Sequence, residues 1–176
     1  MANHLERALF VVGLQDSGKS TALRSMFSDW RLGTHGRIPT SKKLVSLHRL
    51  SADRQLLIRL TSPHEVGETL EEFIAKTSGS LPDGRCSFAC PLQPNAAKNM
   101  PDVIATITAF VNALKPERVR VIFLSPDKRN RTLEKVCRGS IPILPLLDIN
   151  RVEVASIDAG PKHRHGMFLA DFFDFT

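Results

Sequence analysis

Gly13-Leu14-Gln15-Asp16-Ser17-Gly18-Lys19-Ser20 stands between two runs of opposite character. Before it, Ala8-Leu9-Phe10-Val11-Val12 reads as a buried strand; after it, Thr21-Ala22-Leu23-Arg24-Ser25-Met26-Phe27 reads as a helix. The segment meets the spacing G-x-x-x-x-G-K-[ST] at every fixed position. Strand, glycine loop and helix in that order put the loop at the strand's carboxyl end and the helix's unpaired N–H groups around it. Gly13 and Gly18 allow a tight turn and a close backbone approach that a Cβ would block. Converging N–H groups and the helix dipole favour an anion there. Lys19 is then placed to reach the β- and γ-phosphates of a nucleotide, and the Ser20 hydroxyl to ligate Mg²⁺. Gln15, Asp16, Ser17 and Thr21 complete the expected nucleotide-binding set at the loop. A merely glycine-rich turn would leave the Lys-Ser pair without a reason.

The other segments surround this loop with alternating strands and helices, the pattern of an α/β sheet. At 176 residues the chain is expected to form a single nucleotide-binding domain over 1–176. Leu23, Met26, Phe27 and Trp30 recur at helical spacing, and Arg31 to Thr40 reads as a loop. Leu44 to Leu50 and Gln55 to Leu60 are expected to pair as a hairpin about Ser51-Ala52-Asp53-Arg54. Glu65 to Thr77 reads as one amphipathic helix, with Val66, Leu70, Phe73 and Ile74 on its apolar face. Cys86 to Cys90 reads as a strand stopped by Pro91, and Pro101 to Leu114 as a helix opened by its proline. Val119 to Leu124 and Val152 to Ile157 read as strands, Asn130 to Cys137 and His163 to Phe175 as helices. Pro142 and Pro145 argue against a central strand over Ile141 to Leu147. Phe168, Phe172 and Phe175 are expected to pack the last helix on the sheet.

The net charge of +6 concentrates in Arg37 to Arg59 and Lys115 to Arg138, which suits phosphate-bearing ligands. No Tyr and a single Trp leave no aromatic surface among these cations, so direct nucleic-acid binding is disfavoured. Cys86, Cys90 and Cys137 form no paired spacing, which disfavours zinc and suits a reducing, cytoplasmic setting. No apolar run approaches the ~20 residues of a membrane span, and no lipidation motif is found.

The order strand, phosphate loop, helix, loop, hairpin, then alternating helices and strands resembles that of the Ras-like small GTPases, the Arf group above all. Val11-Val12-Gly13-Leu14-Gln15-Asp16-Ser17-Gly18-Lys19-Ser20-Thr21 is similar to the Arf-type phosphate loop, and Ile38-Pro39-Thr40 falls where that group has a switch-I Ile-Pro-Thr. The resemblance implies a three-layer P-loop NTPase fold: a mostly parallel sheet with one antiparallel hairpin strand and helices on both faces. It also implies GTP/GDP and Mg²⁺ as ligands, with Ser20 and Thr40 on the metal, and a protein effector or regulator reading the ordered loop.

The departures are specific. Where the family has Asp-x-x-Gly followed by a water-orienting Gln, this chain reads Thr61-Ser62-Pro63-His64 and then Glu65. His64 and Glu65 therefore take the catalytic positions, and a carboxylate at Glu65 would repel a γ-phosphate at close range. Slow or partner-dependent hydrolysis follows. Where the family reads guanine with Asn-Lys-x-Asp, this chain has Ser125-Pro126-Asp127-Lys128, leaving Asp127 to accept from the base edge, so ATP stays open beside GTP. Two other readings stand beside the switch. A small P-loop kinase would use Lys128, Arg129, Arg131 and Arg138 as a lid over the transferred phosphoryl group. A non-catalytic pseudo-GTPase would keep the fold and dock a partner through Ile141 to Leu147.

Overall fold

The computed structural model describes residues 3–38, 45–132, 134, 142–160 and 165–174. Its centre is a six-stranded sheet in the order β2-β3-β4-β1-β5-β6. The strands are β1 (Asn3–Val12), β2 (Val45–Arg49), β3 (Arg54–Arg59), β4 (Gly84–Leu92), β5 (Arg118–Leu124) and β6 (Val152–Ile157). The β2–β3 hairpin is antiparallel and every other pairing is parallel. The helices are α1 (Lys19–Ser25), α2 (Pro63–Val66), α3 (Leu70–Ser80), α4 (Val103–Leu114), α5 (Ile143–Leu147) and α6 (Gly166–Phe173).

The central strand shows why both faces need cover. Along β1, Ala8, Phe10 and Val12 enter one core, while Leu9 and Val11 enter the other. This period of two with apolar residues on both sides is what a buried parallel strand requires. The first core is closed by α3, α4 and α5 around Phe10, Phe73, Phe88 and Phe110. Phe10 meets Phe110 edge-on at 5.0 Å, and Phe88 stacks on Phe110 at 5.4 Å. The second core is closed by α1, the 3₁₀ turn Met26–Ser28 and α6, through Leu23, Met26, Phe27, Leu169 and Phe173. The expected three-layer α/β fold, with one antiparallel pair and helices on both faces, is present.

Several element boundaries differ from expectation, each for a local reason. Glu65 to Thr77 is two helices. Gly67 at φ +75° ends α2, and Thr69 starts α3 with a reciprocal capping box to Glu72. Pro91 does not stop β4, which runs to Leu92. The carbonyl of Leu92 accepts from Gly13 N on the β1 side at 3.1 Å, so Pro91 faces the β3 side, where pairing has ended at Ile58–Ala89. Its missing N–H therefore breaks no ladder bond. Pro101 lies just before the helix cap, Asp102, whose carboxylate accepts from Ala105 N at 2.9 Å. Trp30 is 73% exposed rather than on a buried helical face, because α1 ends at Ser25 and the chain tightens into 3₁₀ turns. In α6 the core residues are Leu169, Ala170 and Phe173, whereas Phe168 is exposed and stacks on the partly buried Phe172. Residues 142–147 form no strand, and Ile143–Leu147 is a short helix. Of the expected helix over Asn130 to Cys137, only residues 130–132 and 134 lie among the described residues, and His163, Arg164 and Phe175 fall outside them.

Candidate functional site at the carboxyl end of β1

The chain leaves β1 toward β2, β3 and β4 on one side and later crosses to β5 on the other. Ligands of open parallel sheets lie in the crevice at such a switch point, beyond the carboxyl ends of the strands. The loop Gly13–Gly18 occupies this point. It is tied to β4 through the Gly13 N to Leu92 O bond and turns on Ser17 N to Leu14 O at 3.1 Å. Asp16 at φ +60° and Gly18 at φ +103° give it its curl. A Cβ at Gly13 would overlap the Ser17 hydroxyl, so a larger residue there would have to displace the Ser17 side chain inside the loop. Ser17 is buried, and its Oγ has no hydrogen-bond partner among the described residues.

Lys19 opens α1 and folds back over the loop. Its Nζ donates to Leu14 O at 2.7 Å and lies 3.4 Å from Glu65 Oε1. Burial lowers the Lys19 pKa, and the neighbouring Glu65 carboxylate opposes that shift. Ser20 Oγ donates to Leu60 O at 2.5 Å, joining α1 to the end of β3. Because β4 lies between β1 and β3, the segment after β3 starts one strand away from the loop. The short α2, with Pro63 in its first turn, carries Glu65 back to Lys19.

The opposite rim is basic. Lys128 N donates to Ser17 O at 3.4 Å, Arg129 Nη2 to Asp16 Oδ2 at 3.2 Å, and Arg131 Nη2 to Gln15 O at 3.2 Å. The resulting cleft, about 200 Å³, is lined by residues 16–21, Glu65 and Lys128. The sequence pattern thus collected Gly13, Gln15, Asp16, Ser17, Gly18, Lys19, Ser20, Thr21 and Glu65 at one place. Lys128, expected from the sequence only as a lid cation of the kinase reading, belongs with them through its docking on Ser17 and Gly18. The carbonyls of Leu14 and Leu60 belong there too, for which a side-chain pattern has no signal.

His64 and Asp127 are differently employed. His64 is buried, with Nε2 2.8 Å from Pro101 O, which ties α2 to the segment just before α4, and Nδ1 3.3 Å from the hydroxyl of Ser62, the residue that caps α2 itself. Burial lowers its pKa, the Pro101 bond opposes this, and the Lys19 charge lowers it further. Asp127 is 1% exposed. Its Oδ1 accepts from the N–H groups of Arg129 at 2.8 Å and Arg131 at 3.0 Å, and its Oδ2 from Arg131 Nε at 2.7 Å. Burial alone would raise its pKa, but these donors hold it below the usual carboxylate value. Its carboxylate fastens the 127–131 loop. Thr40, Pro39 and Arg138 lie outside the described residues.

Of the oxygen donors that could hold Mg²⁺, the Ser20 hydroxyl borders the cleft, whereas the Glu65 carboxylate beside it is engaged with Lys19. A hard cation bound mainly through phosphate oxygens needs only one or two such protein groups. Neither a protein-family model nor a curated protein matches the chain.

Proposed function

We propose that the protein is a nucleotide-dependent switch of the small-GTPase type. It binds GTP or GDP with Mg²⁺ at the Gly13–Thr21 loop and hydrolyses the triphosphate slowly or with a partner's help. The observation that carries this reading is Lys19. A 4% exposed ammonium is held at the mouth of a glycine loop by one carbonyl and one carboxylate, both of which a phosphate could replace. Ser20 and Thr40 are the proposed Mg²⁺ ligands, and the metal would offset phosphate charge at the loop. Glu65 supports slow turnover, since in its present place its charge opposes an arriving γ-phosphate.

A non-catalytic interaction subunit is the second reading, favoured by the engaged carboxylate of Asp127. Base selection then requires Arg131 to release that carboxylate. Calorimetric titration of the protein in Mg²⁺ with GTP, GDP, ATP and ADP separates the two. Guanine-selective binding with a GTP/GDP difference supports the switch. Adenine preference moves the assignment to a kinase or ATPase, and no binding to any of the four overturns the nucleotide reading.

A further inference from the structure

Between α3 and the β3–β4 pair lies a cavity of about 300 Å³. This is the lower end of the range for small-molecule sites, ~300–1,000 Å³. Its walls are mainly apolar, with Leu57 and Phe88 from the sheet, but Arg59 and Glu68 also line it, and Lys76 stands at its edge. Arg59 is 97% buried, as its 3% exposure shows. Its Nε donates to Thr61 O at 2.8 Å and its Nη1 lies 2.8 Å from Glu68 Oε2. Its Nη2 has no hydrogen-bond acceptor among the described residues. A buried guanidinium donor left without a partner carries a desolvation cost that a ligand oxygen would remove. The charges point the same way. Two cations, Arg59 and Lys76, share one carboxylate, Glu68, which leaves one positive charge without a counter-ion in the cluster.

We propose that this cavity binds a small amphipathic carboxylate: the carboxylate caps Arg59 and balances the Arg59–Glu68–Lys76 cluster, and the hydrocarbon part lies along Leu57 and Phe88. A single anion matches the single excess charge, and a bare inorganic anion would leave the apolar walls unfilled. A doubly charged ligand would meet Glu68 with charge to spare. Because Arg59 and Glu68 flank α2 in sequence, an occupied cavity also bears on the helix that carries Glu65.

The test is a titration of the ¹⁵N-labelled full chain with hexanoate, followed by its amide resonances, with hexanol as the uncharged comparison. Saturable shifts are expected at Leu57, Glu68, Thr77 and Phe88, with a Kd below ~1 mM and hexanol at least ~10-fold weaker. Arg59→Met should abolish the preference for hexanoate over hexanol. Since a change at a buried arginine can impair folding, Lys76→Met is the second variant. Lys76 is 60% exposed, and its loss cancels the charge excess without opening the core. This variant should fold normally and bind hexanoate several-fold more weakly. Equal binding of hexanol and hexanoate, undiminished hexanoate binding in Lys76→Met, shifts confined to residues 13–20, or no shifts at ~10 mM would each overturn the proposal.

Discussion

Lys19 already has two partners that a phosphate would compete with, Leu14 O at 2.7 Å and Glu65 at 3.4 Å. The two sides of that competition predict opposite effects of mutation. Lys19→Ala removes charge-assisted hydrogen bonds of roughly 1.5–3 kcal/mol, so nucleotide affinity measured by calorimetry should fall about tenfold to a hundredfold or more. Glu65→Gln removes the competing carboxylate, and affinity should rise roughly two- to fivefold, the range of a partly exposed ion pair. An unchanged Kd in Lys19→Ala would remove the loop from the site. A weaker Kd in Glu65→Gln would show that Glu65 assists the ligand. His64 gives a third prediction, in pH. Its folded pKa lies below the ~6.5 of an unfolded histidine, chiefly because it is buried. Near neutral pH it is uncharged in both states and adds no slope. Below ~6.5 the unfolded chain gains a proton that the folded chain resists, so stability declines as the solution is acidified. Half-buried His48 shifts in the same direction and adds to the slope. Urea midpoints measured at about pH 7.5 and pH 5.5 should therefore drop for the native chain and drop less for His64→Gln.

At the scale of elements, α1 and α6 approach closely beside the second core. A Cβ on Gly166 would overlap the backbone carbonyl of Ser25, so the last helix begins where only hydrogen fits. Gly166→Ala should cost roughly 1–3 kcal/mol and lower Tm by several degrees. A thermal melt equal to that of the native chain would mean that α6 sits elsewhere. This contact also marks what the sequence makes legible. The strand–glycine turn–helix unit over residues 8–25, the hairpin and the strands over 119–124 and 152–157 declare themselves through local spacing, and each is present as an element of the fold. The split between α2 and α3 was written locally too, in Gly67 and in Thr69 with Glu72, but a continuous apolar period across Val66, Leu70 and Phe73 masks it. The phase of α6 is a different case. Phe168, Phe172 and Phe175 share a helical spacing, yet the face that turns inward is set by Gly166 against Ser25, and a glycine leaves no mark on an apolar pattern. Asp127 and His64 were recognisable as polar residues near the site. Their partners, Arg131 and Pro101 O, depend on loop conformation and on an approach across 37 positions of sequence.

Across the whole molecule, the sheet order governs both rigidity and assembly. β3, β4, β1 and β5 are paired on both sides, whereas the edge strands β2 and β6 each have a single neighbour. Native-state hydrogen exchange should accordingly be slowest at Phe10, Val11, Ala89 and Ile122 and fastest, among strand amides, in β2 and β6. Uniform protection across the sheet would contradict this order. No helix among the described residues is long and apolar enough to cross a membrane. The parallel pairing of β1 has one further consequence, and it concerns time. Its first pairing joins Asn3 to Gly84, and its other neighbour begins at Arg118. A ribosome adding roughly 5–20 residues per second exposes β1 for about 4–16 s before β4 has been made, and for longer before β5. Through that interval the apolar run Leu9-Phe10-Val11-Val12 has neither edge covered, so the strand that carries the Gly13–Gly18 loop is also a segment of the newborn chain open to wrong pairing until its neighbours arrive.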